Sequence, residues 1–189
     1  MGSTTKYYLS GTQLTTSSTS VAKGTQSFVT PVAGVPTSTD PADVISKYVP
    51  LQETDLPGTA ASWTTAALGG NVDVVGSPVL NLQVSAPTAA ASQALSDTGK
   101  LVLFVKIADV GPDGTASLIN NLIAPVRVVD VTKPFTVTLP GIVHRFAPGH
   151  SIRNIVAGGS TNYRGGLSAN PVTITTGTTG QALTLPVVK

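Results

Sequence analysis

Apolar and polar positions alternate most clearly at Val79-Leu-Asn-Leu-Gln-Val-Ser85. After an apolar start at Val79 and Leu80, Leu82 and Val84 fall on one face and Asn81, Gln83 and Ser85 on the other. That two-residue period is the signature of a half-buried strand. Shorter β-prone runs occur at Lys6–Leu9, Ala61–Ala67, Asn71–Val75, Pro171–Thr175 and Ala182–Pro186. The densest set lies between Gly99 and Val156: Leu101–Ile107, Ala116–Val131, Phe135–Leu139, Ile142–Phe146 and His150–Val156. Asp109-Val-Gly-Pro-Asp-Gly114, Lys133-Pro134 and Ala147-Pro-Gly149 separate these runs. Short apolar runs with such punctuation predict an all-β fold, an antiparallel β-sandwich of about ten strands.

Three segments break the pattern. Between Gly24 and Pro57 the chain carries Pro31, Pro36, Pro41, Pro50 and Pro57. Each proline fixes φ and removes a donor, so this segment is expected to be extended and irregular. Within it, Asp40–Lys47 predicts one helical turn, with Asp40 as N-cap and Pro41 at the first helical position. Pro87–Thr98 is small and polar and predicts a loop, with a helical turn through Ala89 to Leu95. Ala157–Gly166, with four glycines, predicts an exposed loop. No repeat of fixed period appears, and residues 1–189 read as one domain, with Met1–Ser3 read as a cloning remnant.

Composition narrows the function classes. Charged residues make up 11% of the chain, far below the roughly 25 % of ordinary soluble domains. Thr, Ser, Ala and Gly take the surface instead, which favours strands over helices. The eleven Lys and Arg are scattered and the net charge is only +2, so the basic balance is not a nucleic-acid footprint. Without cysteine, disulfides and thiolate metal sites are excluded. No apolar run approaches the ~18 residues of a membrane-spanning helix, and the N-terminus lacks the apolar centre of a signal peptide. A Thr-rich, charge-poor chain without cysteine leans towards a secreted or extracellular parent protein.

Candidate chemistry is sparse. A serine hydrolase carries its nucleophile on a tight strand-to-helix turn, G-x-S-x-G. The nearest approach, Gly149-His-Ser151, has Arg153 in place of the final glycine, and β-prone residues follow instead of a helix. No catalytic residue is assigned. His144 and His150 flank a turn without a clustered carboxylate, and read as hydrogen-bonded scaffold and not as a metal pair. Asp109 and Asp113 lack the spacing of a calcium loop, and turn chemistry explains the Asp-Gly pair. No cofactor or metal site is expected. Trp63, Tyr163 and Arg164 are the candidates for ligand or interdomain contact, through an aromatic platform for carbohydrate. Trp63 suits a core or an interdomain seam better, where its indole N–H can find an acceptor.

Three ordered stretches resemble a known family. Val74-Val-Gly-Ser-Pro-Val-Leu-Asn-Leu-Gln-Val-Ser85 is similar to its V-x-G-x-P…L-x-V-S entry strands. Gly99 to Gly114 resembles its L-x-V-x-L-x-D-V-x-P-D-G hairpin. Phe135-Thr-Val-Thr-Leu-Pro, followed by Val143-His-Arg-Phe-Ala-Pro-Gly-His-Ser-Ile-Arg153, is similar to its H-x-F-x-x-G-H-x-I/L-R ending. The family is the C-terminal domain of X-Pro dipeptidyl-peptidases and cocaine-esterase-like (CocE/NonD) serine hydrolases. The resemblance implies a jelly-roll, galactose-binding-like β-sandwich placed after an α/β-hydrolase domain that holds the whole catalytic triad. It further implies a non-catalytic accessory role, with the α/β-hydrolase domain as partner. The alternative is an autonomous module for carbohydrate or another partner. The Gly-rich loop after Val156 and the Ala-rich Pro87–Thr98 segment depart from the family's pattern.

Overall fold

A computed structural model describes residues 2–32, 55–160 and 162–188. The expected helical turn at Asp40–Lys47 lies outside the described residues. Among the described residues thirteen strands form: β1 (Ser3–Ser10), β2 (Gln13–Thr15), β3 (Gly24–Thr30), β4 (Ala60–Thr65), β5 (Val72–Gly76), β6 (Val79–Leu82), β7 (Val102–Val110), β8 (Ala116–Arg127), β9 (Phe135–Thr138), β10 (Ile142–Phe146), β11 (Ser151–Ala157), β12 (Asn170–Thr176) and β13 (Ala182–Val188). Within the segment read as a loop with a helical turn at Ala89–Leu95, the described residues form a short helix, α1 (Pro87–Ser92), and a 3-10 turn at Asp97–Gly99. Nothing helical among the described residues is long and apolar enough to cross a membrane.

The large sheet runs β10-β5-β13-β1-β2-β4-β11-β7-β8, with β6 on β13 and β9 on β6. All its pairings are antiparallel except β2 with β4. Strands from distant positions in that order place side chains in one core: Val74, Leu183, Leu9, Trp63, Ile152 and Leu103. The sheet therefore curls back on itself. β3 pairs with β12 as a two-stranded sheet and contributes Phe28, Val172 and Ile174 to the same core.

Strand β3 corrects the expectation that the chain from Gly24 is irregular. All five prolines lie after Thr30, and Gly24–Thr30 alternates in burial with Phe28 and Thr30 inside. Its polar face ties to β12, with Ser27 Oγ and Thr173 Oγ1 3.0 Å apart. Composition over the longer window hid a short strand that pattern alone would have shown.

Strand β7 reads as a continuous apolar run because both its faces are covered. Leu103, Val105 and Ile107 point into the main core, while Phe104, Ala108 and Val110 join Leu118, Ile123 and Ile155 in a second cluster. Lys106 is fully buried, and its ammonium lies 2.9 Å from the Asp55 carboxylate. A buried charge needs such a partner, because desolvation without one costs several kcal/mol (roughly). Register against β8 slips here: Lys106 faces Ile123 but Ala108 faces Leu118. The β8 residues between them bulge out, and Asn120 takes a left-handed φ of 49°. Bulges bend a strand and re-aim its side chains.

Candidate functional site

Two reverse turns meet at one end of β7. In Ala147-Pro-Gly-His150 the His150 N–H donates to the Ala147 carbonyl at 3.1 Å, and Gly149 has φ 81°. Proline second and a left-handed glycine third define a type II turn, which only glycine fits without strain. In Gly111-Pro-Asp-Gly114 the Gly114 N–H donates to Gly111 O at 2.9 Å. Asp113 Oδ1 accepts from Thr115 N and Oδ2 from Thr115 Oγ1, both at 2.9 Å. Those donors hold the Asp113 carboxyl below its ordinary value.

Between the turns sits Asp109. His144 Nε2 lies 2.8 Å from Asp109 Oδ2, and His150 Nδ1 lies 2.8 Å from Asp109 Oδ1. A carboxylate only accepts, so each of these nitrogens carries the proton, and Nδ1 of His144 and Nε2 of His150 are left as acceptors in the neutral rings. The His144 ring meets Phe146 edge-on at 4.7 Å. The β10–β11 turn is anchored further by Gly149 N to Leu68 O and Leu68 N to His150 O, both 2.8 Å. One carboxylate thus fastens β7, β10 and the β10–β11 turn together, and an open cleft of about 560 Å³ lies beside it.

The Asp109–His150 contact alone resembles the carboxylate–imidazole pair of a hydrolytic triad, in which a carboxylate orients the imidazole through Nδ1–H. The nucleophile half is not assembled. Ser151 follows His150 and starts β11, paired with Val110, and no hydroxyl among the described residues bonds either free imidazole nitrogen. Asp109 is shared between two imidazoles, so the arrangement braces turns. The sequence placed both histidines in a hydrogen-bonded turn role; it did not show that Asp109 is their common acceptor. No cluster of three or more His, Asp or Glu among the described residues is arranged to hold a metal ion.

The three contact candidates do not share a surface. Trp63 is 0% exposed, and its Nε1–H donates to Gly11 O at 2.9 Å, so it fills the core and offers no face to a ligand. Tyr163 is exposed and stacks on Phe104 at 6.3 Å between ring centres. Arg164, also exposed, lines a cleft of about 450 Å³ together with Lys100 and Arg127. Those last two residues were not singled out by sequence, where isolated basic residues carry no signal.

Fold and geometry together define a curled, mostly antiparallel β-sandwich whose β7, β10 and β10–β11 turn are fastened by one carboxylate. The chain belongs to the family of X-Pro dipeptidyl-peptidase C-terminal non-catalytic domains, which it matches over residues 2–185. No curated protein matches it by sequence. Among solved structures, an alpha-amino acid ester hydrolase superposes with TM-score 0.73 and 17% identity over 98% of this chain and 36% of its own. An aminopeptidase from a marine sediment archaeon, Thaumarchaeota archaeon, gives TM-score 0.72 and 16% identity over 99% of this chain and 37% of its own. A CocE/NonD family hydrolase from Staphylococcus aureus gives 0.64 and 13%, covering 100% of this chain and 37% of its own. At such identities the likeness is one of fold, and this chain spans little more than a third of those proteins' length.

Proposed function

We propose that this sandwich is the accessory domain of a serine hydrolase, carried in the same polypeptide as an α/β-hydrolase domain. It packs on that domain, and its loops shape the rim of the catalytic cleft. The reaction of the whole protein is acyl transfer to water through a serine, at an X-Pro peptide bond or an ester. The observation that carries this reading is coverage: almost all of this chain corresponds to about a third of each hydrolase. The braced Asp109 corner suits the role, since it fixes loop positions without offering a nucleophile. The test is the parent reading frame. It is expected to encode an α/β-hydrolase domain with a G-x-S-x-G turn; a frame holding only this sandwich overturns the reading.

A further inference from the structure

The cleft beside Arg164 has a charge arrangement that the accessory role does not use. It is walled by three separate parts of the chain: the 3-10 turn with Asp97 and Lys100, the end of β8 with Arg127, and the glycine-rich loop with Arg164. Lys100 Nζ is 2.6 Å from Asp97 Oδ1, so one carboxylate answers one ammonium. Asp97 is held ionised, its carboxyl lowered first by the Lys100 hydrogen bond and charge and further by Arg127. Neither guanidinium has a hydrogen-bond or ion-pair partner among the described residues. With three cations and one anion the cleft keeps a formal charge of +2, from +3 and −1.

Exposed arginines are often simply solvated. The other two arginines of this chain are engaged, however: Arg145 grips Asp73 through Nε at 2.6 Å and Nη2 at 2.9 Å, and Arg153 Nε donates to Thr64 Oγ1 at 3.1 Å. In a chain with only 11% charged residues, the two arginines without a hydrogen bond or close ion pair among the described residues face the same concavity. Its volume of about 450 Å³ lies within the roughly 300–1,000 Å³ of small-molecule sites. Val102 and Leu167 add apolar wall.

We infer that this cleft binds a small organic oxyanion, a carboxylate or phosphate ester, held by Arg127 and Arg164 with its apolar part against Val102 and Leu167. A planar guanidinium presents paired donors that match two oxygens of such a group, and Lys100 adds a third positive charge. An uncharged sugar could accept from the guanidinium N–H groups but would leave the net positive charge of the cleft uncompensated.

The experiment is a ¹H–¹⁵N titration of the chain with inorganic phosphate, with citrate and with a neutral oligosaccharide, all at matched ionic strength. Phosphate, citrate or both are expected to produce saturable shifts at the Gly165 and Gly166 amides and at the Arg127 and Arg164 Nε–H signals. Arg127→Gln and Arg164→Gln are each expected to weaken binding about tenfold, the loss of one charge-assisted contact. Both positions are exposed, so the fold is kept, and unchanged spectra elsewhere confirm it. No saturable shift with either anion, equal binding by the double variant, or the same shifts with the neutral sugar would each overturn the assignment.

Discussion

Each oxygen of the Asp109 carboxylate accepts from a different imidazole, so its removal strands two donors, whereas loss of either histidine strands one carboxylate oxygen. The group is largely enclosed, with 14% of its side chain exposed. Replacing Asp109 by Ala is expected to destabilise the fold by about 2–3 kcal/mol, against about 1 kcal/mol for His144→Ala or His150→Ala. Urea unfolding gives the three values, and the double-mutant cycle of Asp109 with each histidine gives the coupling. Equal costs for all three variants would show that the histidines are held by something other than Asp109. The same comparison separates a brace from a catalytic dyad, because a brace moves stability.

Among the elements, the turn between β8 and β9 carries the clearest pH signature. Asp130 accepts from Thr132 Oγ1 at 2.6 Å, from Thr132 N at 3.0 Å and from Gln93 Nε2 at 3.3 Å, with Lys133 Nζ 3.3 Å away. These donors, led by the Thr132 hydroxyl and amide, bring its carboxyl down to about 2. A depressed folded value means that the charged form stabilises the fold above the unfolded carboxylate range, near 3.9 or so, and that this is lost as pH falls through about 2. Asp130→Asn should therefore be less stable than the parent chain at neutral pH, with the gap closing below the carboxylate range. A gap that persists unchanged into strong acid would assign the effect to packing instead.

Elements with a solvent face were legible in the sequence; β10 at Ile142–Phe146 coincides with the expected run residue for residue. Ala116–Val131 reads as one strand, but the structure ends β8 at Arg127 and bulges it opposite Ile107, since an apolar run does not reveal its register. The Asp109 corner was legible only as separate turns. Its partners lie 35 and 41 residues away, and spacing along the chain says nothing of contacts made across a folded sheet. The Arg127–Arg164 cleft is hidden for the same reason: a single arginine at a strand end is indistinguishable from a solvated one until the loop with Arg164 is placed beside it.

At the scale of the whole molecule, the curled sheet buries its only tryptophan and ties both histidines to Asp109. Its family is that of a non-catalytic domain, and its fold makes up 36–37% of the hydrolases it superposes on. In the proposed role this chain contributes shape and contacts, and the reacting serine belongs to another domain. Hydrolysis of an X-Pro amide and of a carboxylic ester by the purified chain, with and without a serine-directed phosphonate inhibitor, tests this most directly. No turnover above the uncatalysed rate and no covalent labelling at Ser151 are expected. Turnover that the inhibitor abolishes, or labelling of Ser151, would contradict it.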